Sequence, residues 1–380
     1  GEGAADYWGF TDAGGNLDGE YFDNDDGNPG TINWDRGAYD PLAVYYSVGA
    51  DTTALYEGTG AASNGTLTLD SDSGLDVGVG DEVSVSGNTY YITSRAGGTS
   101  FSIQSANDAY HLPGATNITF SNQNVDIYRA FNSISDAESN AAGAAYLNTA
   151  DLVSGVYQLN FACYADGADT TMVDVDGWIT APDNYIRFYV PSASDEVGFS
   201  QRHNGVWNND RQRMEISFSS NNTAFLNNDL YVRVEGFQLK LIPLTDCTCR
   251  GFENNADGVM YVTDSIIRGV DFGIAGFGNG VRNEGGTMKV SNCVIYGLTQ
   301  QHTYVNCIVQ SDEAGGVTYA YNNTVFDCYI GIKQEVGTLV AKNNLVQSCS
   351  DGYDGPFDAA SDFNISDIAA DAPNATYTTA

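Results

Sequence analysis

Closely spaced carboxylates are the residues of this sequence whose type and spacing could support chemistry. Asp174 and Asp176 are two residues apart in a β-rich run, so their side chains would lie on one face of a strand. Such a pair could act as an acid and a base or could bind calcium, although most carboxylates of this kind are simply solvated. The motifs of polysaccharide lyases and of polygalacturonase-like hydrolases, which need clustered catalytic groups, are missing from the sequence. The sequence therefore identifies no catalytic residue and favours a non-enzymatic protein.

A second group of carboxylates lies near the beginning of the chain. Asp23, Asp25 and Asp26 come just before a glycine, in the stretch DNDDG. Carboxylate oxygens in a glycine-containing turn suit calcium, but the distal glutamate of an EF-hand loop is missing. The sequence requires no cofactor, and calcium is the ion that we expect if one binds.

A basic cluster surrounds one tryptophan. Arg202, Arg211 and Arg213 lie close to Trp207, with His203 beside them. An aromatic ring flanked by arginines can hold a sugar or an acidic glycan by stacking and by bidentate hydrogen bonds. The same residues could instead form ion pairs within the chain or contact a neighbouring subunit. All three interpretations stay open.

The overall charge excludes several classes of partner. The 380 residues include 15 Lys and Arg against 49 Asp and Glu, which gives a formal net charge of −34. Such a chain is poorly suited to nucleic acid, because binding to phosphates needs a basic patch. No apolar run is long enough to span a membrane, so we expect no membrane insertion. The Asp-rich and Lys-poor composition favours an extracellular location, on a cell surface or a virion surface.

The organisation of the chain is that of an all-β protein. Short runs of β-branched and aromatic residues alternate with Gly, Asn and Asp turns, and SGNTYYI predicts a hairpin with Gly87 and Asn88 at its turn. The best helical signal is the capped segment Ser133–Ala145. We predict a leader at 1–42, a small β-rich module at 43–135 and a parallel β-helix at 150–375.

An imperfect repeat in the last third of the chain supports the β-helix. Five segments align so that a polar residue in each precedes an apolar residue by two positions, with intervals of 28, 14, 17 and 21 residues. The aligned residues are Asp264, Asn292, Asn306, Asn323 and Asn344. Asparagine tolerates the left-handed backbone of a coil corner, and its side chain can bond to the next coil. The interval of 14 is short, so either one coil is compressed or the alignment is shifted there.

The cysteines follow the same repeat. Cys293 and Cys307 come directly after a column residue, whereas Cys328 and Cys349 come five positions after one. Matched positions favour thiols stacked in the core as small hydrophobic groups, with disulfides as the alternative. The chain has seven cysteines, so complete pairing within the chain is impossible.

With these repeats in place, the chain resembles right-handed parallel β-helix proteins of the pectate-lyase-like superfamily. More closely, it is similar to uncharacterised members found in environmental bacteria and phages. The resemblance extends over about 43–375, and its most specific segments are TYAYNNTVFDCYIGI and VAKNNLVQSCSDGYDGPFDAASDFNIS. It implies a fold and a surface role but no activity, because this superfamily includes lyases, hydrolases, spikes and inert fibres.

The leader carries a departure from that resemblance. A segment similar to DG…WDxGA commonly closes such helices, yet here it lies at the front, at 17–39. We therefore expect the leader of one copy to complete the open end of the next copy. The residues expected to dock are Trp34, Asp35, Arg36 and Tyr39. Alternatively, the leader packs on its own chain or is a loose extension.

Together these features predict a structural subunit of an extracellular filament or of a surface or virion appendage. Its main partner would be itself, in a head-to-tail homopolymer, and polysaccharide would be a second class of partner. The alternatives are a tailspike-like polysaccharide lyase or hydrolase and a carbohydrate-binding adhesin.

Overall fold

A computed structural model of the protein describes residues 41–105, 118–270, 277–299, 305–311 and 315–374. Strands make up 51% of it and helices 4%, so the predicted all-β class is confirmed. No helix in these ranges is both long enough and apolar enough to cross a membrane. The predicted leader lies outside the described residues except for its last two.

The first part of the described chain contains β1, which is the first strand of the solenoid, and the elements that follow it before the second solenoid strand. They are β1 (Leu42–Val48), β2 (Tyr56–Ser63), β3 (Thr66–Leu69), β4 (Glu82–Val85), β5 (Asn88–Gly97), β6 (Ser100–Ser105), β7 (Phe120–Tyr128), α1 (Ile134–Asn140) and α2 (Leu152–Gly155). The predicted helix is thus present in shorter form. Ser133 caps it, since its hydroxyl accepts a hydrogen bond from the Asp136 backbone N–H at 3.1 Å.

The remaining strands wind through the solenoid in a regular order. The first half comprises β8 (Tyr157–Cys163), β9 (Ala168–Asp169), β10 (Val173–Val175), β11 (Ile186–Tyr189), β12 (Arg213–Phe218), β13 (Asn222–Asn227), β14 (Tyr231–Glu235), β15 (Gln238–Pro243), β16 (Thr248–Asn254), β17 (Val259–Thr263) and β18 (Ile266–Gly269). The second half comprises β19 (Phe277–Asn283), β20 (Thr287–Ser291), β21 (Val294–Tyr296), β22 (Val305–Gln310), β23 (Val317–Tyr321), β24 (Thr324–Phe326), β25 (Ile330–Gln334), β26 (Thr338–Lys342), β27 (Leu345–Gln347), β28 (Asp351–Asp354) and β29 (Ile365–Ser366).

These strands form three parallel sheets, as the predicted β-helix requires. Sheet I has the order β1-β8-β11-β14-β17-β20-β23-β26, and sheet II has the order β10-β13-β16-β19-β22-β25-β28. Sheet III has the order β9-β12-β15-β18-β21-β24-β27-β29. From β10 to β28 the chain visits sheets II, I and III in turn, so each coil stacks on the previous one at about 4.8 Å.

The core of the solenoid is a continuous column of apolar side chains. Alternate residues of sheet I point inward, and phenylalanines of successive coils contact one another. The rings of Phe161 and Phe188 stack with centroids 4.9 Å apart, and Phe225 of sheet II meets Phe188 edge-on at 5.1 Å. These rings are fully buried, so they combine apolar burial with favourable ring geometry.

The region between β1 and α1 forms a closed antiparallel barrel with the strand order β2-β3-β6-β5-β4-β7. The hairpin predicted at SGNTYYI joins β4 to β5. Its turn residues are Ser86 and Gly87, which both have positive φ, rather than Gly87 and Asn88. The predicted start of the module, residue 43, falls inside β1, and that strand pairs with β8 of the solenoid.

A buried ion pair network joins the barrel to the solenoid. The Arg129 guanidinium lies 2.8 Å from Asp81 Oδ1 and 2.7 Å from Asp166 Oδ2, and its side chain is fully buried. It also stacks on the ring of Tyr164, with its Cζ 3.6 Å from the ring centroid. Asp81 belongs to the barrel region, whereas Asp166 lies between β8 and β9, so one arginine holds both parts.

The two ends of the solenoid differ. At the first coil, the Ser47 N–H of β1 donates to the Gly80 carbonyl at 2.7 Å, and the Gly49 N–H donates to the Phe131 carbonyl at 3.0 Å. Gly80 has φ +87° and lies so close that a Cβ there would be 2.4 Å from the Ser47 nitrogen. Gly80 belongs to the loop between β3 and β4, which we call the barrel loop. Helix α1 packs against β10, so the barrel loop and α1 cover this end. At the other end, β28 and β29 are the last strands of their sheets within the described chain.

Candidate functional site

The corner between sheets I and III is the most regular feature of the solenoid. From β14 onward, one residue in each coil adopts a left-handed backbone with φ between +51° and +80°. These residues are Gly236, Asp264, Asn292, Asn322, Asn343 and Phe363. The next residue of each coil is buried beneath the corner. The buried residues are Phe237, Ser265, Cys293, Asn323, Asn344 and Asn364.

The last three of these buried residues form an asparagine ladder. Asn323 Nδ2 donates to Asn344 Oδ1 at 3.0 Å, and Asn344 Nδ2 donates to Asn364 Oδ1 at 2.9 Å. The same oxygens accept the backbone N–H groups of the coil above, from Asn323 at 3.0 Å and from Asn344 at 3.1 Å. Each amide therefore satisfies buried polar groups of two coils.

The predicted column of five residues is divided by the structure. Asp264 and Asn292 occupy the left-handed corner, whereas Asn323 and Asn344 occupy the buried position that follows it. Asn306 lies on β22 of sheet II, where its Nδ2 donates to Asn279 Oδ1 at 2.9 Å. The short interval of the repeat is thus a shift of alignment and not a compressed coil.

A second ladder lies at the carboxyl ends of the sheet II strands and was missed by the sequence analysis. Asn227 Nδ2 donates to Asn254 Oδ1 at 2.8 Å, and Asn254 Nδ2 donates to Asn283 Oδ1 at 3.0 Å. Asn283 Nδ2 in turn donates to Gln310 Oε1 at 2.8 Å. The signal in the sequence is an amide residue that ends a strand in each coil, at intervals of 27 to 29 residues.

The four cysteines of the repeat have different environments. A disulfide joins Cys307 of β22 to Cys328, which precedes β25, the next strand of the same sheet. For this pair the alternative of a disulfide is correct, and the prediction of stacked free thiols is wrong. Cys293 is free and buried, and burial raises its pKa to about 12. Cys349 is free and partly buried, and burial raises its pKa to about 11.

The carboxylates near Trp178 connect α1 to the solenoid. Asp174 and Asp176 are both exposed at β10, on one face as expected, and Asp174 accepts a hydrogen bond from Asn228 at 2.7 Å. The Trp178 indole N–H donates to Glu138 of α1 at 3.1 Å. This arrangement serves to attach the helix, because Glu138 also accepts the Asp176 backbone N–H at 3.4 Å.

Asp229 lies beside that helix contact. The Trp178 backbone N–H is 3.2 Å from both oxygens of its carboxyl group. Burial, supported by the charges of Asp176 and Glu138, raises the pKa of Asp229 to about 6. Burial also raises the pKa of Glu138. The Asp229 carboxyl group is thus poised to change charge in mildly acidic solution.

The basic cluster predicted around Trp207 does not converge on one site. The Arg268 guanidinium stacks on the ring of Trp207, with its Cζ 3.8 Å from the ring centroid. Arg202 lies with Nη1 3.7 Å from Asp264 Oδ2, beside the left-handed corner. Burial lowers the pKa of the neighbouring His203.

The other two arginines of this cluster also have partners within the chain. Arg211 stacks on Phe199, with Cζ at 4.2 Å from the ring centroid, and Arg213 Nε donates to Glu215 at 2.8 Å. The geometry of the cluster is therefore that of structural pairing within the chain.

Two predicted sets lie outside the described residues. They are the calcium-binding candidates Asp23, Asp25 and Asp26 and the docking candidates Trp34, Asp35, Arg36 and Tyr39. Across the part of the chain that the structure describes, no three His, Cys, Asp or Glu side chains are placed to hold a metal ion.

The outer surface of sheet I carries tyrosines and cations that the sequence analysis did not single out. We call this surface the tyrosine–cation face. It comprises Tyr185, Arg187, Tyr231, Arg233, Tyr261, Lys289, Tyr319, Tyr321 and Lys342. All of these side chains are partly exposed. The alternation of polar and apolar residues in each strand indicates which side chains point outward. Only the register between coils shows which of these side chains lie next to one another on the surface.

Comparison with known proteins gives no relative. No family model, no curated protein and no solved structure matches the chain. The assignment of a function therefore depends on the residues and their geometry.

Proposed function

We propose that the protein is a non-enzymatic structural subunit of an extracellular filament or surface appendage, assembled head to tail. In this proposal, residues 1–40 of one copy complete the last coil of the next copy, because Leu42, the last residue of the predicted leader, belongs to β1 of its own chain. The pectate-lyase-like resemblance belongs to the same proposal, because a parallel β-helix is the fold that it implies.

The observation that carries the proposal is the difference between the two ends of the solenoid. The first coil is covered by the barrel loop and by α1, whereas β28 and β29 end their sheets in the described chain. A terminal strand offers unpaired N–H and C=O groups to another strand. Residues 358–362 extend sheet I only in part, with the Asp362 N–H donating to the Ala341 carbonyl at 3.0 Å. One end suited to addition and one covered end favour growth in a single direction.

The interior supports a mechanical role. A continuous apolar core runs through the coils, two ladders of buried amides link several of them, and the Cys307–Cys328 disulfide joins one pair of neighbouring coils. Disulfides persist mainly in oxidising compartments, which agrees with an extracellular location. The charge of −34 would keep such a subunit soluble and separate from nucleic acid.

Sedimentation velocity of the full chain over a range of concentrations tests the proposal. We expect large species that grow with concentration, and we expect them to be lost in a chain lacking residues 1–40. Ile365→Lys, which places a charge on the last strand, should weaken assembly because charges on edge strands oppose pairing. Leu75→Lys is the matched control, since Leu75 is an exposed apolar residue of the barrel region. A full chain that stays monomeric at every concentration rejects the proposal.

A further inference from the structure

We propose that Asn204 is a site of autocatalytic deamidation, in which His203 acts as the base and the side-chain amide becomes a carboxylate. The site lies in the loop between β11 and β12, and the proposal does not depend on the proposed assembly.

The sequence contains three asparagines that are followed directly by glycine. They are Asn64, Asn204 and Asn279. In such a pair the glycine nitrogen can attack the side-chain carbonyl carbon of the asparagine, because glycine has no Cβ to obstruct the approach. The reaction forms a cyclic succinimide in the main chain. The three pairs lie in different surroundings, so the structure distinguishes between them.

Two of the pairs are held by hydrogen bonds of the sheets. Asn64 and Gly65 form the turn between β2 and β3, where the Gly65 N–H donates to the Ile118 carbonyl at 3.2 Å. Asn279 lies within β19 and is only 6% exposed, and its Oδ1 accepts a hydrogen bond from Asn306 at 2.9 Å. In each pair one of the two reacting groups is engaged, so the native structure opposes closure of the ring.

The Asn204–Gly205 pair is open by comparison. Both residues are exposed, and they belong to neither a helix nor a strand. Gly205 has φ +88°, and apart from its chain neighbours no atom of the described residues lies within 4 Å of the position that a Cβ would occupy. The loop therefore leaves room for the glycine nitrogen and the asparagine side chain to meet.

A base lies at the reacting nitrogen. The Gly205 N–H donates to His203 Nδ1 at 3.1 Å. Because Nδ1 is the acceptor, the neutral ring carries its proton on Nε2. Burial, together with the charge of Arg202, lowers the pKa of His203, and the weaker influence of Asp264 opposes this shift. The imidazole is therefore neutral at physiological pH and can accept the amide proton, which a backbone carbonyl cannot do.

The proposed reaction balances with solvent water as its co-reactant. The Gly205 nitrogen gives its proton to His203 Nδ1 and forms a bond to Asn204 Cγ. The bond from Cγ to Nδ2 breaks, and the amide nitrogen takes the proton from the imidazolium and leaves as ammonia. Water then opens the succinimide on either side of its nitrogen, which gives aspartate or isoaspartate. His203 returns to its neutral form, and the chain gains a negative charge beyond its formal −34.

Peptide mapping by mass spectrometry during incubation of the full-length protein at neutral pH tests this proposal. The readout is the gain in mass at each of the three asparagines when an amide becomes a carboxyl group. The folded protein is compared with the same protein unfolded in urea, where the pairs differ only in their local sequence. We expect Asn204 to react about tenfold or more faster in the folded protein, because folding positions the base. Asn64 and Asn279 should react more slowly in the folded protein than in urea.

His203→Gln should slow the reaction of Asn204 in the folded protein about tenfold and leave that of Asn64 unchanged, since glutamine has no basic nitrogen. Arg211→Gln is the matched control, because Arg211 belongs to the same loop but stacks on Phe199. It should keep the parent rate, and thermal melts should establish that both variants are folded.

Two results would overturn the proposal. In the first, Asn204 of the parent reacts no faster in the folded protein than in urea, a comparison that needs no variant. In the second, a folded His203→Gln protein reacts at Asn204 as fast as the parent, because exposure of the loop would then explain the reaction without a base.

Discussion

At the scale of single residues, Asn344 illustrates how one buried amide serves three coils. Its Oδ1 accepts both the backbone N–H and the Nδ2 of Asn323, each at 3.0 Å. Its Nδ2 donates to the Ala320 carbonyl at 2.8 Å and to Asn364 Oδ1 at 2.9 Å. No apolar side chain can make these hydrogen bonds, so this buried position requires an amide side chain.

Asn344→Ala should therefore destabilise the protein strongly. The substitution leaves the Asn323 N–H and the Ala320 carbonyl buried without their partner, and we expect a loss of about 3 kcal/mol in the free energy of unfolding. Urea unfolding followed by circular dichroism measures it. The neighbouring Asn343→Gly is the control, because Asn343 is exposed with φ +55° and glycine adopts that backbone freely. Equal losses from both substitutions would contradict the role of the ladder.

The pKa of Asp229 gives a pH dependence with a definite sign. Its folded value of about 6 lies above its ordinary value, so the folded state binds more protons than the unfolded state in mildly acidic solution. The free energy of unfolding should rise as the pH falls from about 7 to about 5, and the gain should be lost as the pH rises through about 6. Glu138, whose pKa is also raised by burial, adds to the same trend.

Asp229→Asn should reduce this pH dependence, as measured by urea unfolding at a series of pH values. Asp174→Asn removes an exposed charge nearby and controls for the loss of charge itself. A parent chain whose stability falls steadily from neutral to mildly acidic pH would contradict the assignment.

The residue scale also explains why the sequence located the corner but not its register. Asn322-Asn323 and Asn343-Asn344 place asparagine at both the left-handed and the buried position, so their alignment is ambiguous by one residue. In the coil before them, Cys293 takes the buried position beside the corner residue Asn292. A thiol and an amide are different enough in chemistry that only the backbone conformation identifies them as equivalent.

At the scale of elements, the contact between barrel and solenoid depends on Arg129. Tyr91 of β5 also packs edge-on against Tyr46 of β1, with centroids 4.8 Å apart, so an apolar contact and an ion pair act together. The side chains of Arg129 and Asp81 are both fully buried. Removal of one partner from such a pair leaves a buried charge without compensation.

Arg129→Gln should lower the free energy of unfolding by about 3–5 kcal/mol, because Asp81 then loses its cation. The change can be measured by chemical unfolding with tryptophan fluorescence. Arg211→Gln is the control and should cost less than about 1 kcal/mol, since that arginine is partly exposed and only stacks on Phe199. A loss from Arg129→Gln as small as that of the control would show that the network does not hold the barrel.

Elements were predictable where the signal is local. The alternating runs, the β4–β5 hairpin and the capped α1 follow from neighbouring residues alone. The ladder of sheet II and the Cys307–Cys328 disulfide depend on which strands become neighbours in successive coils. Coils of unequal length make that register invisible in the sequence, so the pairing of distant residues needed the structure.

At the scale of the whole molecule, the proposed assembly would use the end formed by β28 and β29, whereas the outer face of sheet I lies on the side of the solenoid. A filament of solenoids would therefore repeat the tyrosine–cation face at regular intervals.

Negative-stain microscopy of the full chain beside the chain lacking residues 1–40 tests the central claim most directly. We predict filaments one solenoid wide from the full chain and separate short rods from the truncated chain. Separate particles from both proteins at high concentration would contradict head-to-tail assembly.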